Sequence, residues 1–258
     1  MSAVFDRVAS WRERRVDDVR HGLTLGFVPT MGALHEGHLS LVQQSRREND
    51  RTLVSIFVNP TQFDEPADLE AYPRTLAPDL KLLETADVDY VLLPAAEELY
   101  ADGFRYRVSE CELSTVLEGA HRPGHFTGVL TVVLKLLNIA SADRAYFGEK
   151  DWQQLRLVRE MAEAFFLPTT IVACPTVREA SGLALSSRNS RLRANDREHA
   201  AHLHRILTTA STSDQAVDGL TAAGFAVDYV EDRDDRRLAA VRFRGVRLID
   251  NVPLRKAS

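Results

Sequence analysis

The stretch Leu23-Thr24-Leu25-Gly26-Phe27-Val28-Pro29-Thr30-Met31-Gly32-Ala33-Leu34-His35-Glu36-Gly37-His38-Leu39 decides the fold. It reads as a buried strand, a tight glycine turn and a helix start carrying two histidines three apart. In a parallel α/β sheet, ligands bind at such junctions, at the carboxyl ends of strands. A helix N-terminus offers unpaired N–H groups and the positive end of a dipole, which suits phosphate. Two imidazoles there can donate hydrogen bonds to a phosphate as its geometry changes. The stretch points to chemistry on a nucleotide.

Outward from it, short apolar runs alternate with longer helical patterns. Predicted strands are Leu23–Thr30, Thr52–Asn59, Tyr90–Pro94, Arg144–Glu149 and Thr169–Thr176, each apolar on both faces. Predicted helices are Ala3–Gly22, Gly37–Asn49, Pro78–Ala86, Phe126–Ile139 and Trp152–Phe165. This alternation implies the α/β class with a doubly wound parallel sheet. Gly128–Ile139 is apolar nearly all round and should be the most buried helix. Lys135 within it is either a phosphate partner or a snorkelling amine.

After Thr176 the pattern changes. A polar segment, Val177–Arg193, precedes predicted helices over Asn195–Ser211 and Asp214–Ala223, then β-like runs at Ala226–Val230, Leu238–Phe243 and Val246–Asp250. The mixed-sign run Glu231–Arg237 reads as a solvated loop. A boundary near 177 separates a nucleotide-binding domain, 1–176, from a small α+β C-terminal domain, 177–258.

Composition narrows the function classes. The 258 residues carry a net charge of −5, which argues against a general nucleic-acid binder. Two cysteines, Cys111 and Cys174, lack C-x-x-C spacing and read as ordinary buried thiols, not a disulfide framework or zinc ribbon. No run approaches a membrane span, and Met1–Arg20 lacks the pattern of a secretory signal, so no membrane role and a cytoplasmic location are expected.

No G-x-G-x-x-G follows the first strand and no P-loop occurs, which disfavours a dinucleotide dehydrogenase and a P-loop kinase. Asn59 and Gln62 follow the second strand; amides there suit hydroxyls or a carboxylate, while Asn59-Pro60 also reads as a plain turn. Glu118–Gly128 brings His121, Arg122 and His125 to another helix start, a second anion-facing edge. Beyond the fourth strand, Gly148 admits close approach and Lys150 suits phosphate. Asp151 either caps the next helix or accepts from ribose, and Gln154 lies one turn in. Ser186, Ser187 and Arg188 sit on a polar segment that either closes over a triphosphate or is a surface loop.

Together these segments resemble the pantothenate synthetase (pantoate–β-alanine ligase, AMP-forming) family of the H-x-G-H nucleotidyltransferases. The resemblance rests on Pro29–His38, Ser55–Phe63, Tyr72-Pro73-Arg74-Thr75, Glu118–Gly128, Phe147–Asp151, Gly182–Asn189 and Arg247-Leu248-Ile249-Asp250-Asn251, in one order over almost the whole chain. It implies a Rossmann-like fold with the C-terminal domain as a lid, ATP with Mg2+, and a homodimer. It also implies that pantoate and ATP give pantoyl adenylate, which β-alanine converts to pantothenate. By resemblance, His35, His38, Lys150, Ser186, Ser187 and Arg188 are catalytic. Met31, His38, Gly148, Lys150, Asp151, Val177 and Ser186–Arg188 bind ATP, and Met31, Asn59, Gln62, Tyr72, Arg122 and Gln154 bind pantoate or β-alanine. The resemblance leaves the metal ligands unassigned.

Thr61 stands where many relatives carry Met, Ser181 where Asp is usual, and the C-terminal domain reads as short. The rival readings are another H-x-G-H nucleotidyltransferase with a phosphorylated acceptor, or a non-catalytic nucleotide-binding protein. The first expects extra basic residues near the second strand, where Asn59, Thr61 and Gln62 are neutral. The second expects loss of His35, His38 or Lys150, all present.

Overall fold

The computed structural model describes residues 2–254. The chain forms two compact units, Met1–Glu149 with Gln153–Cys174, and Lys150–Trp152 with Pro175–Ser258.

The first unit is built on β1 (Ala3–Phe5), β2 (Leu25–Thr30), β3 (Arg51–Ile56), β4 (Tyr90–Leu92), β5 (Arg144–Gly148) and β6 (Thr170–Cys174). All neighbours pair parallel, in the order β1-β4-β3-β2-β5-β6. From β2 the chain steps outward through β3 and β4, then returns to lay β5 on the other side of β2. Loops leaving β2 and β5 therefore diverge, and the crevice at their carboxyl ends is the topological switch point. The quoted stretch leaves β2 at this point, and Gly148 ends β5.

Helices α1 (Val8–Arg20), α2 (Glu36–Glu48), α3 (Pro66–Glu70), α4 (Leu76–Thr85), α5 (Ala96–Leu99), α6 (Glu118–His121), α7 (His125–Ala140) and α8 (Trp152–Ala164) connect the strands. Strand side chains alternate between two cores. Leu25, Phe27, Leu53, Leu92 and Phe147 pack with Trp11, Val129, Leu130, Val133 and Leu157, under α1, α7 and α8. Val28, Val54, Val91 and Tyr146 pack with Leu41, Val42 and Leu83 from α2 and α4. A one-residue register slip would exchange the two sets, so burial on both faces fixes the pairing. α7 is buried along most of its length, as its composition implied. Lys135 is half-buried, and its Nζ donates to Leu99 O at 2.6 Å and to Asp102 Oδ1 at 3.0 Å.

The second unit contains α9 (Ala194–Ala200), α10 (His202–Thr209) and α11 (Ser213–Ala222) with an antiparallel meander of β7 (Ala226–Arg233), β8 (Arg236–Phe243) and β9 (Val246–Pro253). Leu203, Leu207, Leu220, Phe225, Val241 and Leu248 form its core.

Four local expectations are corrected. The predicted helix Ala3–Gly22 begins at Val8, because Ala3–Phe5 pairs with β4 as an edge strand. The predicted helix Asn195–Ser211 is divided at Ala201 into α9 and α10. Glu231–Arg237 is no loop: β7 runs through it to a turn at Asp234–Asp235 and β8 resumes at Arg236. Arg237 is only 2% exposed, and its guanidinium meets both carboxylate oxygens of Asp232 at 2.6 and 2.8 Å. Cross-strand pairing neutralises what looked like a solvated charge run. Finally, Cys111 is exposed; only Cys174 is buried, and burial pushes its thiol up to about 11.

Candidate functional site

In the first unit, β2 ends at Thr30, whose hydroxyl donates to Ser55 O at 2.7 Å and accepts from the Gly32 N–H at 3.2 Å. Gly32 (φ 78°) and Ala33 (φ 49°) then adopt left-handed conformations that turn the chain towards α2. A left-handed alanine costs about 1 kcal/mol and persists only where its surroundings hold it. Asp79 of α4 holds it. Its Oδ2 accepts from Ala33 N–H and its Oδ1 from Leu34 N–H, both at 2.9 Å, and the Thr75 hydroxyl donates to Oδ2 at 3.0 Å. Asp79 is 3% exposed. Sequence reading missed this residue; the available signal was an acidic side chain on the buried side of a helix, four residues after a threonine.

His35 is the N-cap of α2 and His38 lies three residues later. His35 Nδ1 accepts from Gly37 N–H at 3.1 Å, and His38 Nδ1 accepts from His35 N–H at 3.3 Å. The pair forms a reciprocal capping box, which gives their three-residue spacing a structural cause. A backbone N–H only donates, so Nδ1 of each ring is an acceptor and each neutral imidazole carries its proton on Nε2. The ring centroids are 4.1 Å apart. One helix start thus carries two neighbouring Nε2–H donors.

Beyond β3, Asn59 caps the short turn Pro60–Gln62 and is 1% exposed. Its Nδ2 donates to Gln62 Oε1 at 2.9 Å and to Gly128 O at 3.3 Å, while its Oδ1 accepts from Tyr100 OH at 2.7 Å. Of the two readings left open for Asn59, the turn is the one its bonds display. A Cβ at Gly128 would run into the Thr61 carbonyl and Gln62 Cα, so only glycine lets α7 lie this close to the turn.

Gln62 O accepts from His125 Nδ1 at 2.8 Å and from Arg122 at 3.4 Å. His125 Nε2 in turn accepts from Arg122 at 3.2 Å. One ring nitrogen meets a pure acceptor and the other a pure donor, so the ring is neutral and protonated on Nδ1. Burial, then Arg122, pushes its pKa down to about 4. His125 therefore braces the Gln62 turn rather than facing an anion. Arg122 also pairs with Asp64 at 2.9 Å.

Tyr72 is buried, its ring edge-on to Phe63 at 5.6 Å. Met31 and Gln154 are half-buried, and a Cβ at Gly148 would meet nothing within 4 Å. Gln153, which sequence reading passed over, donates to Leu113 O and Val116 O at 2.7 and 2.8 Å and accepts from Glu118 N–H at 3.0 Å. It fixes the approach to the Glu118–Gly128 segment.

In the second unit, Lys150 Nζ lies 3.8 Å from Asp151 Oδ1. The segment from Val177 to Leu185 folds back on itself, with Leu185 N–H on Val177 O at 3.0 Å and Glu179 N–H on Leu183 O at 2.8 Å. Ser181 Oγ accepts from Leu183 N–H at 3.4 Å, so serine at this position still supplies a turn acceptor. Ser186 caps the next turn, accepting from Arg188 N–H at 3.3 Å, which brings Ser186, Ser187 and Arg188 onto one turn. The end of β9 reaches both segments. Asp250 takes Arg178 bidentately at 2.6 and 2.8 Å, and Asn251 Nδ2 donates to Lys150 O at 3.0 Å.

Among the described residues, no group of three or more His, Cys, Asp or Glu side chains is placed to hold a metal ion. Nor is any helix there long and apolar enough to cross a membrane.

A doubly wound α/β sheet, with paired imidazole donors on a helix start at its switch point, defines a nucleotide-handling enzyme class. The pantoate-beta-alanine ligase family model matches residues 3–253, and the chain belongs to that family. A pantothenate synthetase of Bdellovibrio bacteriovorus is 53% identical, over 90% of this chain and 92% of that protein. One from Cereibacter sphaeroides is 51% identical, over 98% and 100%. The solved pantoate-beta-alanine ligase of Francisella tularensis, complexed with beta-gamma ATP and beta-alanine, superposes with a TM-score of 0.93 at 40% identity, covering 98% of both chains. Pantothenate synthetase of Thermus thermophilus gives 0.87 at 41% identity, covering 97% of this chain and 99% of that one.

Proposed function

We infer that this chain condenses pantoate with β-alanine, converting ATP to AMP and pyrophosphate through pantoyl adenylate. The observation that carries this reading is the pair of Nε2–H donors at the start of α2, in a chain matched to the ligase family from end to end of its described fold. In the first step a pantoate carboxylate oxygen attacks the α-phosphorus, and the bond from phosphorus to the bridging α–β oxygen breaks. Negative charge grows on the α-phosphoryl oxygens and the departing pyrophosphate. His35 and His38 donate to that charge, a role in which positioned donors act without reorganising. Lys150, Ser186, Ser187 and Arg188 hold the triphosphate, with Met31, Gly148, Asp151 and Val177 along the nucleoside. In the second step the β-alanine amine attacks the acyl carbon, the acyl–oxygen bond breaks, AMP leaves and the nitrogen loses a proton.

Gln62 and Gln154 hold the pantoate hydroxyl and carboxylate in this reading, with Tyr72 and Arg122 bordering them. Mg2+ would accompany ATP, bound chiefly through the substrate phosphates and water. A homodimer in the cytoplasm belongs to the same reading. The test is product release from Mg·ATP. Pantoate alone should yield pyrophosphate, and AMP with pantothenate should follow only when β-alanine is added. Folded protein that releases no pyrophosphate under either condition would overturn the assignment.

A further inference from the structure

The turn at Asn59–Gln62 has a hydrogen-bond polarity that its backbone neighbours fix. Asn59 Oδ1 faces the Thr61 N–H at 3.4 Å, the Thr61 hydroxyl at 3.0 Å and Tyr100 OH at 2.7 Å. A backbone N–H cannot accept, so this end of the amide is oxygen. The other end faces the Gly128 carbonyl at 3.3 Å, which cannot donate, so it is NH2. That NH2 also donates to Gln62 at 2.9 Å, and only Oε1 of Gln62 can receive it. The sense of the Gln62 amide follows without choice: Oε1 is tied to Asn59, and the end turned away from Asn59 is the Nε2 donor.

Tyr100 is itself held. Lys135 Nζ sits 4.7 Å from its ring centre while donating to Leu99 O and Asp102. Burial raises the Tyr100 pKa, so its phenol stays a donor at neutral pH. The Thr61 hydroxyl lies 3.2 Å from Tyr100 OH and is a further donor to Asn59 Oδ1.

We propose that Asn59, Thr61 and Tyr100 are positioning residues that lock Gln62 with its amide N–H outward, so that Gln62 serves the hydroxy acid as a donor to an oxygen acceptor and not as an acceptor. The proposal rests on the reading of Gln62 as a pantoate contact, and the experiments separate the two. Gln62→Ala tests the contact: the KM for pantoate rises and that for ATP does not. An unchanged pantoate KM in this variant overturns the contact and the proposal with it. The double variant Thr61→Val, Tyr100→Phe removes two side-chain donors and keeps the Gln62 side chain. Its pantoate KM should rise about three- to ten-fold, the scale of one weakened hydrogen bond, with ATP KM and kcat little changed. If Gln62→Ala raises the pantoate KM and the double variant leaves it alone, Thr61 and Tyr100 are not positioning residues and the proposal is refuted, the backbone groups alone setting the amide.

Gln62→Glu supplies a readout that a purely structural role would not move. One carboxyl oxygen still accepts from Asn59, and the outward oxygen donates only when protonated. Its kcat/KM for pantoate, taken as a ratio to the unsubstituted enzyme, should climb as pH falls from about 8 to about 6, following the growing protonated fraction. A flat ratio across that range refutes the donor assignment.

Discussion

On the proposed reading the two histidines at the start of α2 do two things at once, and substitution at His38 can separate them. Its Nδ1 closes the capping box on the His35 N–H, and its Nε2–H is the donor assigned to the α-phosphate. Glu and Gln at the third helical position both supply the capping acceptor, whereas Ala does not. His38→Ala should therefore lower stability by about 1 kcal/mol, the usual worth of a helix cap, while His38→Glu and His38→Gln keep most of it. Donor chemistry predicts a different ranking. Gln retains an N–H donor on a flexible stem, Ala has none, and Glu replaces the donor with a negative charge facing a phosphate. Loss of one donor aimed at developing charge typically costs about 10²–10³ in rate, and like-charge repulsion adds to it. The expected order of adenylate formation is wild type, Gln, Ala, Glu. Stability is read from urea midpoints. The chemical step is read from single-turnover pyrophosphate formation with Mg·ATP and pantoate, β-alanine omitted. A stable Glu variant working within ten-fold of wild type would remove the donor role. Activity that tracked stability across all three variants would leave His38 as a cap and nothing more.

Asp79→Asn keeps one oxygen but sets an NH2 against either the Ala33 or the Leu34 N–H, so the β2–α2 turn should lose about 2–3 kcal/mol of support, and adenylate formation should fall at least ten-fold in circular-dichroism-normal protein; unchanged kinetics would exclude Asp79 as the brace. His125 has a folded pKa of about 4 against an ordinary value of 6.5, so protonation favours unfolding. Its contribution is complete above about pH 6.5 and drains away as pH falls towards 4, by at most about 3 kcal/mol. Urea midpoints of His125→Gln should accordingly decline less steeply over that interval, and equal slopes would refute the neutral-ring assignment. Asp250→Asn leaves Arg178 without its charge partner; because Asp250 is buried and Arg178 partly exposed, a loss near 3 kcal/mol is expected. The ATP KM should rise while that for pantoate holds, and a variant with neither change would show the pair to be dispensable.

Elements with their own local period could be read in the sequence. The strands that become β2 to β6 announce themselves by short apolar runs, and α2 by its cap residues. β1 is too short to show any period, and its identity comes from pairing with β4, whose residues lie far along the chain. Arg237 and Asp232 show the same limitation, since nothing local reveals that a charge run will fold across a turn and neutralise itself. The candidate site divides similarly. His35, His38, Gln62 and the Ser186–Arg188 turn were visible as residue types at strand ends or on a polar segment. Asp79, Tyr100 and Gln153 were not, because each acts on a backbone or amide group supplied by a distant part of the chain. Asn59 was seen as a turn residue or a substrate contact, but its bonds to Gln62, Gly128 and Tyr100 join segments that lie far apart in the chain and were not legible.

A common device runs through these braces. Backbone N–H and C=O groups cannot change their donor or acceptor sense, and here they dictate the sense of the side chains beside them. The Gly37 and His35 amides force both imidazoles to protonate on Nε2, the Gly128 carbonyl and Thr61 amide orient Asn59, and the Gln62 carbonyl orients His125. The consequence for mutational sensitivity is specific. Asn59→Asp preserves shape but inverts polarity, setting an acceptor against the Gly128 and Gln62 oxygens at a buried site, and Gln62→Glu would set one against the substrate oxygen of the proposed contact. Truncations at the same positions merely leave a partner unmatched, which water can repair wherever it has access. Near-isosteric changes should therefore harm the acyl-activating half of the reaction more than alanine does, the reverse of the ordinary ranking in an apolar core, where loss of volume dominates.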